Sequence, residues 1–181
     1  FKRIETARNE LYTLNLGGSA IGSGINVSYH YQVHIVPKLA SITGLPLEQA
    51  HDLFDATSNL DSYVALSGSL KNLAVNLSKM SNDLRLLSSG PRSGLHEINL
   101  PSKQAGSSIM PGKVNPVIPE VVNQVAFEMI GFDTTVTAAS EAGQLELNAF
   151  EPIIFKSLIT GIEHLQQAMN TLRINGIDGI T

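Results

Sequence analysis

The chain has 181 residues, 43% of them hydrophobic and 15% charged, with a net charge of −4 and no cysteine. Length and apolar content suffice for a sizeable core, while the missing cysteines exclude disulfides, thiolate nucleophiles and cysteine-based zinc sites. No Lys/Arg cluster offers a track for phosphates and no run of about 18 uncharged apolar residues occurs, so neither a nucleic-acid partner nor a membrane span is expected. Cysteine-free composition fits a reducing compartment, and a cytoplasmic location is the expectation.

In chain order, the first expected element is a helix from Phe1 to about Leu14. A flexible loop follows at Gly17-Gly-Ser-Ala-Ile-Gly-Ser-Gly-Ile-Asn26, then a helix from about Tyr29 to Ile42, ended by Gly44 and Pro46. Three longer segments share one apolar period. Tyr63, Leu66, Leu70, Leu73, Leu77, Met80, Leu84 and Leu87 alternate three and four apart, the repeat of helices that pack knobs-into-holes. Ser58 or Asn59 fits the start of this helix, and Gly90-Pro91 stops it.

After a short extended piece at 95–100, a second stripe runs through Ile118, Val122, Val125, Met129, Phe132, Val136 and Ala139. Asn115 fits its N-cap and Pro116 its first position, and Gly131 marks a weak point or a close helix approach. A third stripe carries Phe155, Leu158, Ile162, Leu165, Met169 and Leu172, between Pro152 and Asn175-Gly176. Each helix reaches roughly 30 Å at 1.5 Å per residue. The expected architecture is all-α: an elongated bundle of long helices, with all the stripes as core, continued by other subunits. The chain opens on Phe1 within a helical pattern and closes on Thr181 after a turn signal, so it reads as part of a longer polypeptide.

Several motifs are weaker than they look. Gly17–Gly24 lacks the preceding apolar strand, the Gly-Lys-Ser/Thr ending and the following acidic partner of a phosphate loop, so a tight connection between helices is the expectation. His30 and His34 share a helix face, but Tyr-Gln-Val between them supplies no third ligand, so no metal site is expected there. His51, His96 and His164 show no convergent partners.

The run Gly106-Ser-Ser-Ile-Met-Pro-Gly-Lys-Val-Asn-Pro116 differs. Two hydroxyls, an ammonium and an amide sit directly ahead of a helix, and donors, a cation and a positive helix end together suit a carboxylate. Ile109 and Met110 are expected to anchor the loop on the bundle. The plain alternative is a polar interhelix connection. On residue types alone both readings stand.

At these residues the chain resembles the aspartase/fumarase superfamily, whose signature loop Gly106–Asn115 matches without a gap. The likeness covers essentially the whole chain, including Leu16–Asn26, Asn82–Arg92 and Glu97–Pro101. Three stretches resemble the aspartate ammonia-lyase branch more than fumarate hydratases: Pro119-Glu-Val-Val-Asn-Gln-Val125, Glu141-Ala-Gly-Gln-Leu-Glu-Leu-Asn148 and Gly176–Thr181. Phe132 departs from the pattern, since Asn usually follows that Ile-Gly pair, a change that bears on packing more than chemistry.

The resemblance implies an ammonia-lyase that eliminates ammonia from L-aspartate to give fumarate, with fumarate hydration, or a non-catalytic bundle, as the alternatives. It implies that Ser107 is the general base and Glu120 orients a histidine from another part of the enzyme. Ser108 would contact the β-carboxylate, Lys113 and Asn115 would hold the α-carboxylate, and Gly106 and Gly112 would be hinges of a closing loop. It further implies a homotetramer with active sites shared between subunits and no organic cofactor, with divalent-cation activation at an unlocated site. Residues 1–181 would then be part of one central helical domain, with an N-terminal and a small C-terminal domain outside it, and the isolated piece would be inactive.

Overall fold

The structure, a computed structural model, describes every residue except Ser108 and Pro111. The expected all-α architecture is observed. Among the described residues six α-helices carry nearly all the regular structure: α1 (Lys2–Glu10), α2 (Tyr29–Thr43), α3 (Leu53–Ser58), α4 (Asp61–Leu87), α5 (Val117–Glu141) and α6 (Glu151–Thr171). No helix among the described residues is long and apolar enough to cross a membrane. The chain divides into two compact units, Phe1–Ser69 with Asp133–Leu158, and Leu70–Phe132 with Ile159–Thr181.

In the first unit α1 stops at Glu10, short of the expected Leu14. Thr13–Leu14 form a short strand, β1, parallel to β2 (Glu48–Gln49). Tyr12 O accepts from the Glu48 N–H and Leu14 O from the Ala50 N–H, so tertiary pairing displaces the helical bonds. The glycine-rich segment after β1 is tied down by hydrogen bonds. Gln49 Nε2 donates to Leu16 O at 2.7 Å and to Gln32 O at 2.9 Å, and the Gly24 N–H reaches Gly18 O at 2.8 Å. Helix α2 begins where Ser28 Oγ accepts from the Tyr31 N–H and ends on Gly44 at φ 70°, the left-handed C-cap that glycine takes without strain.

Helix α3 was not foreseen, and it corrects the expected cap of α4. Asp52 caps α3 through the Phe54 and Asp55 N–H groups. Ser58 Oγ turns back to Phe54 O and Asn59 Nδ2 to Asp55 Oδ1, so both belong to the end of α3. The first bonds of α4 are accepted instead by Leu60 O, from Tyr63 and Val64. Leu66, Val136, Ala139, Ile154 and Leu158 form the core of this unit. Among them Ser67 Oγ donates to Asp133 Oδ1 at 2.8 Å, with both residues buried.

The second unit buries Leu70, Ala74 and Leu77 of α4, Val122, Ala126 and Met129 of α5, Leu165 and Ala168 of α6, and Leu172 just beyond α6. The expected stripes are therefore only partly core. On α6 every alternate member faces out, Phe155, Ile162 (41% exposed) and Met169, as do Met80 and Leu87 on α4. A 3.5-residue repeat marks positions fit for burial, but not which of them one chain can cover. A Cβ on Gly161 would stand 2.7 Å from Met129 Sδ and 3.3 Å from Phe132 Cδ2. Of the two readings of Gly131, the close helix approach fails, since nothing stands within 4 Å of a Cβ built there; the close approach lies at Gly161. Phe132 packs beside that glycine, which is how the bundle takes the unusual side chain.

Helix α6 runs into a π-helical turn, Leu172–Ile177. Beyond it Thr181 and Asn99 exchange backbone bonds of 2.8 and 3.3 Å, which hold the expected extended piece in place. Helix α5 starts one residue later than expected. Pro116 O accepts from the Glu120 N–H at 3.1 Å, so the cap position falls on Pro116 rather than Asn115.

Candidate functional site

Gly106, Ser107, Gly112, Lys113, Asn115 and Glu120 fall in the second unit, on the loop before α5 and on the first turn of that helix. The loop closes on itself. A Cβ added at Gly106 would lie 2.5 Å from Lys113 O, well inside contact distance, so only glycine lets the two backbones meet. Gly112 has φ 78°, and the Lys113 N–H bonds to Met110 O at 3.3 Å. These contacts bring Gly106 and Lys113 together, so the two ends of the loop are adjacent.

Within that loop Ser107 is half-buried, and its Oγ accepts two backbone N–H groups, from Ile109 at 3.1 Å and from Met110 at 3.2 Å. A hydroxyl oxygen that already receives two donors is preset to carry negative charge, because the same dipoles bind an alkoxide more strongly than an alcohol. Sequence could name the serine but not these donors, since they come from backbone orientation. The donors also correct one expectation. Ile109 is 87% and Met110 51% exposed, so neither anchors the loop by its side chain; the backbone contact at Gly106 and the turn around Ser107 do so. Ser108 lies outside the described residues.

Lys113 is exposed and lines a cavity of about 190 Å³ together with Ser88, His96, Asn99, Gly112 and Pro116. That is below the roughly 300–1,000 Å³ of drug-sized pockets and suits a small polar molecule. The lining mixes a cation, imidazole, amide and hydroxyl groups, which can donate to an anion, with the apolar Pro91, Ile98, Leu100 and Val114. His96, without a partner visible in sequence, therefore has a place here. Its φ of 50° is unusual for a side-chain-bearing residue, and its N–H is tied to Ser89 O at 2.8 Å. Asn115 is half-buried beside Pro116. The end of α5 offers few free donors. The Val117 N–H is bonded to Asn115 O at 2.9 Å and Pro119 has none, so this terminus acts through its dipole more than through direct bonds.

Glu120, half-buried on the first turn of α5, lies against the end of α4. Its Oε1 stands 3.9 Å from Arg85 Nη2. Arg85 Nη1 donates to Asn123 Oδ1 at 3.3 Å. Asn123 is 3% exposed, and its Nδ2 reaches Ser78 Oγ at 2.8 Å, Ser78 O at 3.1 Å and Asn82 Oδ1 at 3.1 Å. Two amide hydrogens are thus shared among three acceptors, and the group is fully engaged. Sequence reasoning missed Arg85 and Asn123 as parts of the site.

The other histidines lie elsewhere. His164 Nδ1 is 2.6 Å from Glu128 Oε2 on α5. His30 and His34 stack at 4.3 Å on the exposed surface of α2. Among the described residues no group of three or more His, Cys, Asp or Glu is placed to hold a metal.

A family model described as lyase matches residues 1–131. The aspartate ammonia-lyase of Pseudomonas canavaninivorans is 58% identical over 180 residues, 99% of this chain and 38% of the relative. Among solved structures, a fumarate lyase:delta crystallin from Brucella melitensis bound to cobalt superposes with a TM-score of 0.95 at 50% identity, covering 99% of this chain and 39% of that one. A class II fumarase from Schistosoma mansoni gives 0.93 at 32% identity, with 99% and 41% covered. The chain spans well under half the length of each of these relatives.

Proposed function

The chain belongs to the lyase family, and from that premise we propose that the polypeptide it represents is an aspartate ammonia-lyase, with these residues as part of its central helical domain. The observation that carries the reading is the pair of N–H donors on Ser107 Oγ. A serine is a poor base at neutral pH unless its alkoxide is stabilised. Ile109 and Met110 supply that stabilisation from the backbone, and Lys113 adds positive charge nearby.

In the proposed reaction the Ser107 alkoxide takes the proton from the carbon next to the β-carboxylate of L-aspartate. The electron pair moves into that carboxylate and then forms the C=C bond as the C–N bond breaks, releasing ammonia and fumarate. Donors aimed at the carboxylate oxygens act mainly in the transition state, where the charge builds. Ser108 contacts the β-carboxylate, Lys113 and Asn115 hold the α-carboxylate, and Glu120 orients a histidine supplied from elsewhere in the enzyme. Gly106 and Gly112 let the loop move over bound substrate. No organic cofactor enters these steps, and a divalent cation would act as an activator outside them. The histidine comes from another subunit, in a homotetramer with shared active sites and a cytoplasmic location. The outward apolar side chains Phe155, Ile162 and Met169 support such an assembly. A monomer in sedimentation of the intact parent would contradict it.

Fumarate hydration would use the same loop. The higher identity to ammonia-lyases than to the fumarase favours deamination. The discriminating experiment assays the intact parent on L-aspartate and on malate. Fumarate from aspartate is expected; turnover of malate alone would contradict the proposal. The isolated 181-residue chain is expected to produce none.

A further inference from the structure

Arg85 sits in the last turn of α4 with its side chain 42% exposed, yet its guanidinium is not left to solvent. One nitrogen is tied to the buried amide of Asn123 and another faces Glu120 Oε1. Glu120 and Asn123 are three apart on α5 and so lie on one helix face, and the arginine bridges them. Only Oε1 meets the guanidinium, and no other side chain among the described residues engages the Glu120 carboxylate. Among the described residues no group donates to its second oxygen, which remains an open acceptor.

We propose that Arg85, fixed by Asn123, is a positioning residue that sets the Glu120 carboxylate so that Oε2 receives an imidazole N–H brought by another subunit. The inference rests on the reading of Glu120 given above. An ion pair with both partners this exposed contributes about 0–1 kcal/mol to stability. Its value is therefore geometric: a rigid fork anchored at one end turns a mobile carboxylate into a directed one. A lysine has no second donor arm in a fixed plane and cannot make both contacts in the same way.

The test uses the intact parent, with kinetics on L-aspartate and thermal melts for Glu120→Gln, Arg85→Met, Arg85→Lys, Arg85→Ala and the Arg85→Met/Glu120→Gln pair. Arg85→Met is expected to lower kcat about tenfold, a coupling of about 1.4 kcal/mol, while KM moves less than about twofold. The double variant should be no slower than Glu120→Gln alone. Arg85→Lys should recover little, and added guanidinium should restore part of the Arg85→Ala rate. Unchanged kcat in Arg85→Met, beside a slowed Glu120→Gln, overturns the inference and leaves the Glu120 reading intact. Additive losses with a lowered Tm in both backgrounds overturn it too, since they describe a merely structural arginine. A Glu120→Gln enzyme at full rate removes the Glu120 reading and the inference with it.

Discussion

The loop 106–113 and the cluster around Asn123 use similar polar groups in opposite ways. Asn123 is buried, and its amide is committed to Arg85, Ser78 and Asn82, so it fixes where α4 and α5 meet. The loop leaves Lys113 exposed and holds Ser107 only by its own backbone. A satisfied polar network rigidifies, whereas groups with spare capacity are left for a ligand. Within one unit the Asn123 cluster is built as scaffold, and the loop is where the proposed chemistry takes place.

Four substitutions in the intact parent probe that division, in falling order of effect. Ser107→Ala should lower turnover by roughly 10²–10⁴-fold with Tm nearly unchanged; a comparable loss of both would make the serine scaffold instead. Asn123→Ala should destabilise the fold by about 2 kcal/mol, because Arg85, Ser78 and Asn82 lose their common partner. Chemical denaturation measures this, and an unchanged midpoint would show that water replaces the amide. Gly106→Ala places a methyl group against Lys113 O and should cut kcat/KM by about tenfold or more through a displaced loop, with little effect on Tm. Ile109→Ser, at a side chain 87% exposed, should change stability by less than about 0.5 kcal/mol. A larger loss would mean that the side chain is covered in the assembled enzyme.

The helices were legible in sequence because their apolar spacing of three and four is a long-range statement repeated many times. What failed was local or tertiary. Helix α3 has only six residues, too few for a period, so Ser58 and Asn59 read as caps of the next helix. Phe155, Ile162 and Met169 obey the same repeat as their buried neighbours, and only the packed chain shows that they face out. In the site, Ser107, Lys113 and Glu120 stood out by residue type and by resemblance. The Ile109 and Met110 N–H groups could not, because a sequence does not record where backbone donors point. Arg85 and Glu120 lie on different helices, and nothing in their local context announces that they meet.

The claim that Ser107 moves the proton at the substrate carbon is tested most directly by running the intact parent on fumarate and ammonium in D₂O and reading the aspartate by NMR. The expected result is stereospecific deuterium at C3 from the wild type, with no labelled product above background from Ser107→Ala. Labelled aspartate formed by Ser107→Ala at the wild-type rate would contradict the assignment.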